Sequence, residues 1–192
     1  MKYINPSLLY SPTAGWTDSQ PIPVPTMAHC QVTSGDTTFI IGGVQDQGNW
    51  GPQLGKTGAT YRSINEGPWE EVMPLQKPRQ DHACVEWNKK IIAIGGVDKN
   101  NDLLSSIESY DTLTNKWTSL TPLPKPMLSM QAVVYKGSLY VLGGMSQRGW
   151  NKEVYQLRPG GRAWELVSGA SVDIRGRGVF PAVVFNNLHC RK

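Results

Sequence analysis

A chain of 192 residues with 39% hydrophobic residues can bury one sizeable core, and its 20 glycines and 14 prolines favour short strands with tight turns over helices. No segment approaches the roughly 20 consecutive apolar residues of a membrane-spanning helix, so we expect no membrane association. The net charge of +4 comes from scattered basic residues without interleaved aromatic residues, which argues against a nucleic-acid-binding surface.

Three short apolar segments along the chain each end in a pair of glycines. The pairs are Gly42-Gly43, Gly95-Gly96 and Gly143-Gly144. Each segment follows another apolar segment and a short polar turn, which predicts two antiparallel strands joined by a hairpin. The glycines mark a place where the backbone passes close to another segment or adopts a positive φ. Self-similarity at an interval of about 50 residues indicates stacked supersecondary units.

Each unit continues with a tyrosine-bearing strand and, after a turn, a tryptophan-bearing strand. The tyrosines are Tyr61, Tyr110 and Tyr155, and the tryptophans at the same interval are Trp16, Trp69, Trp117 and Trp164. Each repeat is therefore predicted to form a four-stranded antiparallel sheet. One such sheet cannot bury its faces alone, so these large rings are expected to pack against neighbouring sheets. Radial repetition of four-stranded sheets is a β-propeller, so the predicted fold class is all-β.

The repeat predicts a single, partial propeller domain. We expect a partial blade at 1–24, complete blades at 25–74, 75–122 and 123–170, and the first strand of a next blade at 171–192. An unclosed array of blades would expose strand edges and apolar faces. Three explanations stay open: the chain belongs to a longer propeller, two chains form a homodimer that completes one propeller, or the split ends close a small ring.

The order of an apolar segment, a glycine pair, a tyrosine-aspartate pair and a tryptophan resembles the kelch repeat. Its cleanest copy is Ile94-Gly95-Gly96, Tyr110-Asp111 and Trp117, whereas Tyr61-Arg62 and Tyr155-Gln156 lack the usual aspartate. The resemblance covers essentially the whole chain and implies a kelch-type β-propeller that acts as a protein-interaction module. Kelch propellers include substrate receptors of cullin ubiquitin ligases and actin-binding proteins. Those roles need a BTB, F-box or other adaptor, so a ubiquitin-ligase adaptor role is expected only of a parent protein.

Four residues are predicted to bind a protein partner of unknown identity. Trp50 and Trp150 lie outside the regular tryptophan interval, in loops that follow a glycine pair, and Arg148 precedes Trp150 in the same loop. Loops on a rigid scaffold commonly carry binding residues, and Trp and Arg are favoured anchors. The alternative for each tryptophan is packing over its own blade edge. Arg79 lies in a connector that, in the kelch propellers which this sequence resembles, tends to lie near the ligand-facing rim. Arg79 either binds an acidic peptide there or forms a structural ion pair between blades.

Little in the sequence points to catalysis, so we predict no catalytic residue, no metal site and no cofactor. His29 and His82 share a repeat position that Met130 occupies in the third repeat, which favours a structural hydrogen bond to a neighbouring blade over metal ligation or acid–base chemistry. The alternating polar residues at 98–102 lack the glycine and glutamate of a calcium loop. The alternative function is a kelch-like propeller enzyme or a carbohydrate-binding propeller.

The cysteines Cys30, Cys84 and Cys190 show no metal or disulfide framework. Disulfides persist in oxidising compartments, so an odd number of scattered cysteines favours a reducing one. The predicted location is therefore the cytoplasm.

Overall fold

The computed structural model describes residues 7–45 and 55–171, and the regular elements within them are all β-strands. The predicted all-β fold class is therefore confirmed. Trp50 and the strand predicted within residues 172–192 lie outside the described residues. None of the described segments forms a helix long and apolar enough to cross a bilayer.

The strands are short, as the frequent glycines and prolines predict. They are β1 Ser7–Ser11, β2 Gly15–Ser19, β3 Thr26–Met27, β4 Cys30–Ser34, β5 Thr37–Ile41, β6 Val44–Gln45, β7 Gly55–Lys56, β8 Thr60–Ile64, β9 Glu70–Val72, β10 Ala83–Trp87, β11 Lys90–Ile94, β12 Ile107–Asp111, β13 Lys116–Leu120, β14 Gln131–Tyr135, β15 Ser138–Leu142, β16 Met145–Ser146, β17 Gly149–Trp150, β18 Glu153–Leu157 and β19 Glu165–Ser171.

Within residues 30–171, as far as they are described, three four-stranded antiparallel sheets follow one another. We call them blade 1 (β4, β5, β8 and β9), blade 2 (β10 to β13) and blade 3 (β14, β15, β18 and β19). In each blade the strands lie side by side in chain order. The tyrosine strand pairs with the tryptophan strand, which in blade 2 places Tyr110 opposite Trp117. A further hairpin, β1 with β2, precedes blade 1.

The glycine pair of blade 2 lies where the chain leaves the second strand and passes the connectors on either side. Both glycines have a positive φ, +60° at Gly95 and +95° at Gly96. A Cβ atom would lie 2.6 Å from the Met127 carbonyl oxygen at Gly95 and 2.5 Å from the Gln80 carbonyl oxygen at Gly96. No side chain fits there, so only glycine lets the Gly96 N–H donate to the Met127 carbonyl at 2.8 Å.

Hydrophobic side chains fill the interfaces between successive blades. Alternate residues of a strand point to opposite faces of a sheet. On β11, Ile91 and Ala93 therefore pack against blade 1, whereas Ile92 and Ile94 pack against blade 3, and all four are fully buried. The core lies between the sheets rather than within any one of them, which is why the units must stack to be stable.

The tryptophans at the start of the fourth strands, Trp117 within β13 and Trp69 and Trp164 directly before β9 and β19, tie each blade to the unit before it. The indole N–H groups donate to backbone carbonyls of the preceding unit, from Trp69 to Gln20, from Trp117 to Met73 and from Trp164 to Thr121, at 3.0, 2.8 and 3.2 Å. A buried indole needs a partner for its one N–H group. The regular tryptophan interval is therefore the interval at which one blade must contact the next.

Candidate functional site

One end of the blades carries both the connectors between blades and the loops that follow the glycine pairs. In an antiparallel sheet whose strands lie in chain order, the second and fourth strands run in the same direction. The loop after the second strand and the connector after the fourth therefore begin at the same end of the sheet. In the structure they also pair with one another, as β3 does with β6 and Leu128 does with Met145. We call this end the loop rim. It comprises residues 20–29, 42–45, 55–59, 73–82, 95–106, 121–130 and 143–152.

Two of the four predicted anchors lie together on the loop rim of blade 3. β16 pairs with β17, which places Met145 opposite Trp150 and leaves Gln147 and Arg148 at the turn. Trp150 is 49% exposed. Arg148 is exposed, and no carboxylate within the described ranges pairs with its guanidinium. The hairpin thus presents an aromatic ring and a free positive charge on a short, hydrogen-bonded turn.

A cavity of about 290 Å³ lies beside this hairpin, between it and the connector that leads into blade 3. Its walls are Lys125, Pro126, Ser146, Gln147 and Arg148. The Lys125 ammonium pairs with the Glu153 carboxylate and lies 5.7 Å from the centre of the Tyr155 ring. The hydrogen bond from Lys125 holds the pKa of Glu153 below its usual value. The cavity is therefore polar and lined by two basic side chains, one of which has its own counter-ion.

Arg79 lies in the interior and not on the accessible surface of the loop rim. Its side chain is 0% exposed and the side chain of its partner Glu108 is 3% exposed, with 2.6 Å between Nη2 and Oε1. The guanidinium also donates to the Gly95 and Ser106 carbonyls, both at 2.9 Å. Glu108 in turn accepts the backbone N–H of Gln76 at 2.7 Å.

The geometry at Arg79 matches the second of the two alternatives, the structural ion pair. The pair lies within blade 2 and its preceding connector, and not between two blades. Because its donors already have partners and no surface is exposed, Arg79 cannot contact a peptide in this structure. We therefore leave it out of the proposed binding surface.

His82 fills a gap between blades 1 and 2 without any hydrogen bond. The residue is 7% exposed. A Cβ atom at Gly42 of blade 1 would lie 2.9 Å from the imidazole Cε1 of His82, and a Cβ atom at Gly96 of blade 2 would lie 2.9 Å from the His82 Cβ. Met130 of blade 3 is packed in the same way between Gly95 of blade 2 and Gly144 of blade 3. Neither ring nitrogen of His82 has a partner among the described residues. The expected hydrogen bond to a neighbouring blade is therefore wrong, and the side chain acts as a packing element.

Because the imidazole is buried, we expect the free energy of unfolding to fall as the pH is lowered from about 6.5 to about 3. Burial, and then the charges of Arg79 and His29, lower the pKa of His82 to about 3. The unfolded chain binds the proton more readily, so the contribution is complete above the unfolded pKa and is lost as the pH falls. At about pH 5 the expected loss in the free energy of unfolding is about 2 kcal/mol relative to neutral pH.

Urea unfolding of the wild type and of His82→Met at about pH 7.5 and pH 5 measures how much of the pH dependence of the free energy of unfolding comes from His82. Methionine is the residue at the same position of blade 3, so the substitution is compatible with the packing. The variant should lose most of the pH dependence and keep only the smaller part from His29, whose pKa burial also lowers. An unchanged pH dependence in the variant would contradict the assignment.

The alternating polar loop after the glycine pair of blade 2 closes on itself. One oxygen of Asp98 accepts the backbone N–H groups of Asn100 at 2.9 Å and Asp102 at 3.1 Å, and the other lies 3.3 Å from the Lys77 ammonium. Lys56 reaches across from blade 1 to the Asp98 carbonyl at 2.8 Å. Within the described ranges no group of three His, Cys, Asp or Glu side chains could hold a metal ion.

A disulfide joins Cys30 of blade 1 to Cys84 of blade 2, with 5.9 Å between their Cα atoms. The expectation that the cysteines form no framework is therefore wrong for these two. Cys30 is the first residue of β4, whereas Cys84 is the second residue of β10. This offset of one residue points the two side chains to opposite faces of their blades, and hence towards each other. The bond lines a cavity of about 300 Å³ between the first strands of the three blades.

Sheets of four strands stacked face to face, with the connectors between them at one end, define a β-propeller repeat protein. The model of the KLHDC2/KLHL20/DRC7 Kelch-repeats domain matches residues 28–189. The chain therefore belongs to the kelch-repeat family, as the spacing of its glycine pairs, tyrosines and tryptophans predicted.

Curated relatives extend well beyond this chain. Alpha-scruin of Limulus polyphemus is 32% identical over 127 residues, which are 65% of this chain and 14% of that protein. Kelch-like protein 34 of Homo sapiens is 26% identical over 161 residues, 78% of this chain and 25% of that protein. The chain thus spans a quarter or less of these relatives.

A solved structure, that of YjhT, superimposes with a TM-score of 0.67 at 18% identity. The match covers 85% of this chain and 52% of that one. At this level of identity the likeness supports the fold alone.

Proposed function

We propose that the chain is a protein-interaction module that binds a peptide or loop of its partner through the loop rim. The observation that carries the proposal is Trp150, a half-exposed aromatic side chain two residues after Arg148, whose guanidinium pairs with no carboxylate among the described residues. Membership of the kelch-repeat family supports a binding role of this kind. Trp50, in the equivalent loop of blade 1, lies outside the described residues and stays a predicted anchor.

The hairpin that carries Trp150 suits an anchor because it is held in place before binding. Met145 pairs with Trp150 across the hairpin and also bridges to Leu128 in the connector. A hairpin whose backbone is already paired loses little backbone entropy when a partner covers it. Aromatic residues with this kind of support dominate the binding energy of many interfaces.

Substituting Trp150 by alanine is expected to weaken partner binding about 30-fold or more, the usual effect of removing an interface hot spot. Peptides selected from a random linear library against the wild-type chain are titrated against the variant by biolayer interferometry. Leu113→Ala is the matched control, since Leu113 is 95% exposed in the turn between β12 and β13, at the opposite end of blade 2. Equal affinities of the two variants would contradict the proposed site, as would saturable binding of glycans but of no peptide.

We also propose a cytoplasmic location and, for a longer parent protein, a substrate-receptor role in a ubiquitin ligase. Support for both comes from kelch-family membership. The Cys30–Cys84 disulfide argues against this location, because thiols in the cytoplasm are kept reduced. Alkylation of free thiols in intact cells, followed by mass spectrometry of the peptides carrying Cys30 and Cys84, tests the location. Alkylated thiols support the cytoplasm, and a protected disulfide contradicts it.

A further inference from the structure

We infer that the cavity beside Arg148 binds a carboxylate side chain, so the partner segment carries an Asp or Glu next to an apolar residue. This inference rests on the proposed function, because it names the chemistry of the partner that the same loop rim binds. It follows from a difference between the loop rims of blade 2 and blade 3.

Blade 2 supplies its own acid to the loop rim. Asp98 stands two residues after the glycine pair, is 6% exposed, and pairs with Lys77 of the connector. Its other carboxylate oxygen accepts two backbone N–H groups of its own loop. A carboxylate is thus fully satisfied between the loop and the connector, where a lysine-proline pair leads into the blade.

Blade 3 keeps the lysine of this arrangement but has no acid in the loop, and its lysine pairs with Glu153 of β18 instead. Ser146 stands two residues after the glycine pair, at the position of Asp98, and Lys125 precedes a proline as Lys77 does. The space between this loop and the connector is the cavity of about 290 Å³. This volume is close to the lower end of the range for small-molecule pockets, so it has room for a side chain of a partner segment.

The charges around the cavity select an anion. Lys125 is already paired with Glu153, so that pair contributes no net charge. Arg148 has no such counter-ion within the described residues. A guanidinium offers paired N–H donors whose spacing fits the two oxygens of a carboxylate.

The apolar half of the predicted motif follows from the same hairpin. Trp150 lies two residues from Arg148, and about half of its surface is free to contact a partner. A segment that placed its acid at Arg148 would bring neighbouring residues against the indole. An apolar or aromatic neighbour would therefore gain contact area that a second charged residue would not.

The experiment pans a random linear peptide library against the full chain and measures the selected peptides with three variants. Arg148→Glu should weaken binding about tenfold or more, and replacing the acid of the peptide by lysine should restore affinity for this variant. Ser146→Asp should also weaken binding, because it places the acid of blade 2 into the loop of blade 3. Arg162→Glu is the matched control, with the same change of charge in the exposed turn at the far end of β18.

The inference is overturned if the selected peptides share no acidic position, or if Arg148→Glu and Arg162→Glu bind them equally. In that case the proposed function still stands, provided that binding is lost in Trp150→Ala. The proposed function itself fails if no peptide binds saturably or if Trp150→Ala binds as well as the wild type. Circular dichroism of each variant shows whether the fold is retained, and Ser146→Asp provides a second test if Arg148→Glu does not fold.

Discussion

Replacing Arg79 with methionine should lower the free energy of unfolding by about 3–5 kcal/mol, the usual cost of removing one partner of a buried ion pair. Methionine is the residue at this position in blade 3, so the side chain itself suits the fold. The cost arises at Glu108, whose carboxylate is 3% exposed and would lose its only paired positive charge among the described residues. Urea unfolding followed by tryptophan fluorescence measures the loss.

Blade 1 supplies the control for this prediction. It carries Thr26 and Ala59 at the positions of Arg79 and Glu108, and thus packs the same region without charges. The double variant Arg79→Thr, Glu108→Ala should therefore be more stable than Arg79→Met, because no unpaired carboxylate remains buried. If the double variant were the less stable of the two, or if Arg79→Met lost under about 1 kcal/mol, the ion pair would not have the importance given to it here.

Reduction of the Cys30–Cys84 disulfide should lower the free energy of unfolding by about 4 kcal/mol in the chain-entropy description, because the bond closes a loop with a sequence separation of 54. The bond joins the first strands of two neighbouring blades. Opening it therefore removes the constraint that the bond places on the distance between these two strands in the unfolded chain, and the unfolded state gains conformational entropy. Urea unfolding with and without a phosphine reductant measures the difference.

The matched variant for this prediction comes from the next interface. Ala83 and Ala132 occupy, between blades 2 and 3, the positions that Cys30 and Cys84 occupy between blades 1 and 2. The double variant Cys30→Ala, Cys84→Ala should therefore fold, match the reduced wild type in stability, and show no response to reductant. A wild type whose unfolding midpoint did not move on reduction would contradict the predicted contribution of the bond.

The regular elements of this fold were predictable because the residues that define them recur at a fixed interval in the sequence. A glycine pair ends the second strand of every blade because another backbone segment lies within 3 Å of where a Cβ would be. Trp69, Trp117 and Trp164 recur because each indole N–H must reach the unit before it. The predicted loop position of Trp150 is likewise found, since any hairpin after a glycine pair emerges at the same end of its sheet.

Three side-chain roles could not be settled from the sequence in the same way. Arg79 was as consistent with a surface ligand as with an ion pair, because Glu108 lies far from it in sequence and only the fold brings them to 2.6 Å. His82 was expected to make a hydrogen bond, but the gap it fills is bounded by glycines and offers no partner. Cys30 and Cys84 differ by one residue in their repeat positions, which sets the faces they point to, but only the packing of blades 1 and 2 brings their Cα atoms to 5.9 Å.

The sequence by itself determined the repeating order of glycine pairs, tyrosines and tryptophans, and with it the all-β class of the fold, because every repeat carries its own copy of that pattern. Only the tertiary structure decided what happens between blades. The burial of Arg79, the contact of the two cysteines and the cavity beside Arg148 each depend on the distance between segments of different blades or loops. That distance is set by how neighbouring sheets pack, and no periodicity within a single repeat specifies it.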